Sequence, residues 1–426
     1  MRAALLQLGR YGMTKRMIAT LAALCLSDTA SAETLRDAIT EAYVTNPELA
    51  AAKARQEALA EAPEQAQAAG RLTAEAEGTG GYNRFDYGKG GSGSITTNLP
   101  IWTGGRVSSA VRAASGDVAA GAEGLRDTQA IVLQAVVGAY ADLLYAQQAV
   151  AVARADIDLL DNQVAEARSR FELGQATRTD VAQLEAQHES AISTLAEAEG
   201  TAAAIAATYR ATVGHVAGNL ETTPPAPAAL PATIDVARNQ AIEGNPIVRQ
   251  QRLASAADAA RIDQQRAEYN PYVALSGTYG YAAGQGQSDG SSTAIAGVTL
   301  RIPLLTGGLV SSRVRQSEAI YRADRFGIDA AERDAVRLVE TAWANLVAAQ
   351  SRVQANVRRV EAAELALRGV RAEYAVSLRT TLDILIADES LRAAQLALAR
   401  SRSDVLIGQA ALLRSTGQLG PDSYGS

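Results

Sequence analysis

The 426-residue chain has one cysteine, two histidines, three phenylalanines and two tryptophans, and each shortage closes a route to function. The single cysteine, Cys25, sits in the apolar run Met17 to Leu26, behind Lys15 and Arg16 and ahead of Ala30-Ser31-Ala32, which is the order of a secretory leader. Residues 1–32 are therefore expected to be a signal peptide, with Met13 opening a leader of more usual length than Met1 does. Leu24 stands before Cys25 where a lipid-anchor site wants a small residue. A mature chain beginning near Glu33 has no thiol, hence neither a disulfide nor a thiolate metal site.

Imidazole is almost as scarce. His188 falls on the packed face of a helix, where the second half of the chain has Leu391, and His215 lies near a helix end, so both are expected to be structural. No metal-ligand spacing accompanies them, so no catalytic, cofactor-binding or metal residue is assigned, and an enzyme is the less favoured class. Basic charge is short too. Lys and Arg number 40 against 46 Asp and Glu, and the leader holds Arg2, Arg10, Lys15 and Arg16, which leaves a mature chain too acidic for a nucleic-acid partner. Beyond the leader there is no run of 18 apolar residues of the kind that crosses a bilayer as a helix.

Proline is absent from Ile101 to Thr223 and from Leu304 to Gly420. An interior proline would break a helix, so both stretches are free to be helical throughout. Within them apolar residues recur every seventh position: Val136, Leu143, Val150, Ile157, Val164, Phe171, and then Val339, Leu346, Val353, Val360, Leu367, Tyr374. The companion positions are mostly small (Ala139, Ala146, Ala153, Leu160, Ala167; Ala342, Ala349, Asn356, Ala363, Val370), which predicts coiled-coil packing at close approach, with Asn356 fixing register. Each long helix would run from about residue 106 or 309 to 173 or 376, on the order of 100 Å, followed by an antiparallel return helix.

These two stretches belong to a tandem duplication. Thr34 to Pro47 matches Thr233 to Pro246, PIWTGGRVSSAVR at 100–112 matches PLLTGGLVSSRVR at 303–315, and RFELGQATRTDV at 170–181 matches Glu373 to Ile384. The expected organisation is a first repeat at 33–217, a Pro-rich linker at 218–232, a second repeat at 233–419 and a tail at 420–426.

Ahead of each double glycine the period drops to two. Leu72 to Tyr82 and Ile95 to Ile101 alternate, as do Val273 to Tyr281 and Ala294 to Ile302, with a glycine-rich turn expected before Ile95. Strands of about 10 residues with one apolar face, in an exported chain, suit a transmembrane barrel. Four strands cannot close one, so several chains must share it. A soluble two-hairpin sheet, as in a periplasmic coiled-coil adaptor or structural protein, is the alternative. The repeated signature then marks where a strand turns into a long helix: Pro100 and Pro303 end pairing, Gly104, Gly105, Gly307 and Gly308 supply turn dihedrals, Thr103 or Thr306 caps the helix, and Trp102 anchors at the headgroups.

With the Asn46-Pro47 and Asn245-Pro246 turns, the two strand-to-helix signatures and the two hairpin tips in place, the chain resembles the outer-membrane efflux protein family of TolC-type exit ducts. The resemblance covers nearly all the mature chain. It implies a mainly α fold with a transmembrane β portion: two β-hairpins and two long helical hairpins per protomer, a shared 12-strand barrel and a periplasmic helical tunnel in a homotrimer. It also implies an outer-membrane location, a periplasmic adaptor and an inner-membrane pump or ABC transporter as partners, and drugs or secreted polypeptides as cargo, with no cofactor. Carried over by residue, Asp383 rings the aperture, and Tyr374 and Arg379 clasp Asp180, with Thr179 and Arg402 as a second clasp. The outer tip keeps the family glycine as Gly174, whereas the inner tip has Ser377, and Ile386 stands where some members place a second aspartate. On the residues alone, Asp180 and Asp383 could equally cap the return helices.

Overall fold

The computed structural model describes residues 32–83, 88–227, 229–283, 290–376 and 378–424. Of the expected leader only Ala32 falls within these, and Ser377 at the inner tip lies outside them.

Each repeat opens with short helices hinged at an Asn-Pro turn. In the first, α1 (Leu35–Thr45) is started by a reciprocal Thr34–Asp37 capping box, and Asn46 then caps α2 (Pro47–Ala60), which is followed by α3 (Ala62–Ala68). Proline at the first helical position costs no hydrogen bond, because that N–H would be unpaired anyway. The Asn46 carboxamide works in two directions: Oδ1 accepts from the N–H groups of Glu48 and Leu49, and Nδ2 donates to the Thr212 carbonyl at the end of the returning helix.

The chain then forms β1 (Thr73–Asn83), β2 (Gly88–Trp102), the long helix α4 (Arg106–Glu172) and the return helix α5 (Arg178–Val213). The second repeat repeats the plan with α6 (Ile234–Gly244), α7 (Pro246–Arg266), β3 (Tyr272–Ala283), β4 (Ser291–Arg301), α8 (Leu309–Ala375) and α9 (Thr381–Ser415). Asn245 reproduces the two-way bond, with Nδ2 donating to Ser415 O at 3.0 Å and Oδ1 accepting from Ile247 N–H.

Both long helices have 67 residues, which matches the expected start after the double glycine. The companion positions Ala139, Ala146, Ala153, Leu160 and Ala167 are all buried. Phe171, last of its heptad series, is 47% exposed, because the partner helix has already turned away at the tip. Asn356 is half-buried and donates to Ala397 O (3.0 Å) and Ser401 Oγ (3.3 Å), tying α8 to α9 at one register.

Three apolar clusters hold the helices. The largest gathers Leu35, Ile39, Leu133, Val136, Tyr140, Tyr209, Val213 and Leu413, so that the short N-terminal helix, α4, α5 and α9 share one core. Burying each leucine or isoleucine there contributes about 1.5–3 kcal/mol. The same cluster takes in Leu419 and Tyr424, the latter 1% exposed, so the expected tail folds back into the core. The second cluster repeats the arrangement in the other repeat, with Ala237, Val248, Val339, Leu346 and Leu412. The third lies near the outer tip, with Leu160, Val164, Ala167, Leu184 and Ala191 packed against Leu385 of the other hairpin. The most apolar stretch of α4 is long enough to cross a membrane by composition, but 56% of it is buried, which is its reason for being apolar.

Candidate functional site

The four strands form one antiparallel meander in the order β1-β2-β3-β4. Register fixes which residues share a face. Ala76, Ile95, Tyr279 and Ala294 lie in one row, and Leu99, Leu275 and Val298 in another, all on one side. Glu77, Ser94, Gly280 and Thr293 form a row on the opposite side, as do Thr73, Asn98, Ser276 and Gly297. One face is therefore apolar and exposed, with Ile95, Leu275, Tyr279, Val298 and Leu300 all at least 42% exposed, and the other carries Thr, Ser, Asn and Glu. Strand β2 extends back to Gly88, through the stretch expected to be a turn. It can do so because β1 pairs with its backbone from Gly88 on and β3 from Gly91 on, and a ladder between glycines needs no side chains.

The strand-to-helix turns follow from Thr-Gly-Gly. Gly104, Gly105, Gly307 and Gly308 all have φ between 58° and 91°, the left-handed region that other residues enter at a cost. Pro100 does not end pairing as expected: lacking an N–H it shifts the β2–β3 register, opposite Ala274, and pairing resumes between Trp102 and Val273, whereas Pro303 follows the end of β4. The threonine side chains do not cap the helices, as the sequence had suggested. The N-cap residues are Gly105 and Gly308, and Thr103 and Thr306 offer their backbone carbonyls to Arg106 and Leu309. The repeated Val-Ser-Ser explains itself here: Ser108 Oγ donates to Gly105 O (3.0 Å) and Ser311 Oγ to Gly308 O (2.9 Å). Trp102 is 49% exposed beside this turn.

At the far end, Gly174 with φ 74° turns α4 into α5, and Gln175 N donates to Arg170 O. Thr177 and Asp180 then form a reciprocal capping box, as do Thr380 and Asp383 in the second repeat. Bonds from the threonine backbone N–H, and secondly from its hydroxyl, hold both carboxyls below the usual aspartate range. Within the protomer both aspartates therefore act as helix caps. Arg379 bonds Glu373 (2.7 Å) and approaches Asp383 (3.9 Å), and Arg170 lies 4.9 Å over the Tyr374 ring, joining the two tips. Neither Tyr374 nor Arg379 reaches Asp180 in the single chain. Thr179, Arg402 and Ile386 are all exposed.

Sequence reasoning missed a charged seam between the hairpins. Asp156 on α4 (4% side-chain exposure) pairs with Arg392 on α9 (19%), whose Nε is 3.1 Å from Asp388, and Asp388 is 3.9 Å from Arg371. Burial pushes the Asp388 carboxyl up and the Arg392 guanidinium down. The available signal was Asp156 falling at a core-facing spacing between Ala153 and Leu160. His188, expected to be a satisfied structural residue, places Nε2 2.9 Å from Asp161 on the facing helix.

Comparisons with known proteins agree with this architecture. The family described as outer membrane efflux protein matches residues 38–215 and 237–418. Outer membrane efflux protein BepC of Brucella suis is 33% identical over 408 residues, covering 93% of this chain and 88% of that protein. Outer membrane protein TolC of Vibrio cholerae is 28% identical over 311 residues, 68% of this chain and 69% of that protein. The crystal structure of VceC from Vibrio cholerae, an outer membrane protein, superposes with a TM-score of 0.73 at 22% identity, covering 90% of this chain and 96% of that one.

Proposed function

Because the chain belongs to the outer membrane efflux protein family, and is an outer-membrane exit duct whose helices form a periplasmic tunnel, we propose that it works as a homotrimer and as a conduit rather than an enzyme. The observation that carries this reading is the two-faced meander. An apolar exposed face suits lipid and a hydroxyl- and carboxylate-bearing face suits a water-filled lumen. The outer edges of β1 and β4 pair with nothing among the described residues, and unpaired edges are not tolerated in hydrocarbon. Three copies joined edge to edge satisfy them.

In this reading a periplasmic adaptor and an inner-membrane pump or ABC transporter deliver drugs or polypeptides to the tunnel. Asp383 and Ile386 form rings at the entrance, and Asp180, Tyr374 and Arg379, with Thr179 and Arg402, clasp it shut between neighbouring protomers. Supporting the clasp is the exposure of Arg379 (48%) and of Thr179 and Arg402, which leaves these side chains free to meet a second copy. The test is extraction of the membrane fraction in mild detergent followed by mass determination and planar-bilayer recording. A trimer that conducts, with cation preference lowered in Asp383→Ala, is the expected result. A monomer in the periplasmic fraction that needs no detergent would overturn the reading.

A further inference from the structure

Glu33 is bonded more completely than any residue at the start of a helical domain requires. Its carboxylate accepts from the Tyr209 hydroxyl, from Gly218 N–H at 2.8 Å, and from His215 Nε2 at 2.9 Å in the tautomer protonated there. Its backbone N–H donates to Asn219 O at 2.7 Å, and its carbonyl accepts from Glu221 N–H at 3.0 Å. The Tyr140 hydroxyl, 3.0 Å from that carbonyl and 3.1 Å from the Glu221 carbonyl, closes the far side. Tyr140 and Tyr209 are both wholly buried, among the largest such side chains in the core, yet their polar ends converge on this one residue. Every polar group of Glu33 is satisfied, while its carboxylate is only 13% exposed.

Glu33 is also the residue that follows Ala30-Ser31-Ala32. Small residues at the first and third positions before a bond are the mark of leader cleavage at that bond. We propose that the pocket of Tyr140, Tyr209, His215, Gly218, Asn219 and Glu221 is a receptor for the N-terminal glutamate created by leader removal. Hydrolysis of the Ala32–Glu33 bond consumes one water and leaves a carboxylate on Ala32 and an α-amino group on Glu33. That group, once protonated, replaces the amide N–H as donor to Asn219 O and makes the bond charge-assisted, which strengthens it. Processing thus completes the site. It pins the chain end to the segment after α5, beside the core that joins both repeats, so the first helix docks most firmly only after the leader is gone.

The inference rests on the export reading, which cell fractionation tests separately. The test uses the full chain expressed with its leader and purified from outer membranes, with N-terminal sequencing and acylation of the α-amine at neutral pH. Beyond the leader only Lys53 and Lys89 offer competing amines, so the labelled terminus is easily resolved. Sequencing is expected to begin Glu-Thr-Leu-Arg. Labelling of the native trimer is expected to be about tenfold slower than of Tyr209→Phe or His215→Ala, each of which loses a bond to the charged seat and leaves the cleavage site untouched. A different first residue, or equal labelling rates in all three proteins, would overturn the proposal. Retention of the leader on a chain found outside the outer membrane would sink the export reading as well.

Discussion

One carboxylate closes the return helix at each hairpin tip, and its charge state decides whether the cap holds. Asp180 and Asp383 each accept from the threonine three residues earlier in the same box, with Oδ2 3.0 and 2.8 Å from the threonine nitrogen. Both carboxyls are held low by those bonds, so the folded value lies below the unfolded one of about 4. The linkage sign follows: the cap stabilises above the unfolded value and is lost as pH falls through the folded one. Hydrogen exchange at the first-turn amides of α5 and α9, corrected for intrinsic rate, is expected to show constant protection from neutral pH down to about 5 and a fall below about 4. Asp383→Asn, whose amide oxygen can still accept from the Thr380 N–H but does not titrate, should remove the fall at α9 alone. Protection that persists unchanged in acid would mean that the tips are held by neighbouring helices instead. Of the expected clasp, Tyr374, Arg379, Thr179 and Asp180 lie at the tips, where Arg379 is engaged by Glu373 of its own tip, whereas Arg402 sits well inside α9.

Helices this long cannot start inside a membrane sheet without a sharp reversal of backbone, and the double glycine supplies it twice. The two turns are not equivalent, however. A side chain added at Gly104 would meet Asn270 Cβ at 2.6 Å and Pro271 O at 2.9 Å, whereas at Gly307 it would meet nothing within 4 Å. Asn270 also donates to Gly104 O at 2.7 Å, so the first turn is stitched to the start of β3. Gly307→Ala should therefore cost about 1–2 kcal/mol for the left-handed backbone alone. Gly104→Ala should cost clearly more and should lower the temperature at which the oligomer dissociates further than Gly307→Ala does. Equal losses would show that Asn270 and Pro271 yield freely. How far the sequence reveals these elements depends on period. Heptads from Val136 to Phe171 and from Val339 to Tyr374, and two-residue alternation on the apolar face, announce themselves. The pairing of Gly88 to Ser94 does not, because glycine strands carry no side-chain pattern and are ordered by the partners on either side. Nor does the burial of Tyr424, a single aromatic in a short tail whose place depends on helices far away in the chain.

At the scale of the whole molecule, the two repeats share one sheet and one apolar core, and the charged seam is a further place where they grip each other. Asp156 belongs to the first hairpin and Arg392 to the second, and both are largely removed from water. Removing one partner of a buried pair strands the other, which costs about 3–5 kcal/mol, while replacing both with apolar residues of similar volume is often neutral. Asp156→Ala is therefore expected to lower the protein's thermal midpoint sharply. Asp156→Leu combined with Arg392→Met, both made in an Asp388→Asn background so that no buried carboxylate is stranded, should recover most of the loss, because no buried ion of the seam is left unpaired. The two repaired hairpins would then lack the buried bonds that a slide of α9 along α4 would break, keeping only the more exposed pairs Arg400–Asp142 and Arg414–Asp127. If opening involves that slide, the double variant should show more frequent long openings in planar bilayers at unchanged trimer yield. A double variant as unstable as Asp156→Ala would assign the seam to shape rather than charge. Recovered stability with native gating would place the moving surface elsewhere, nearer the proposed aperture side chains Asp383 and Ile386.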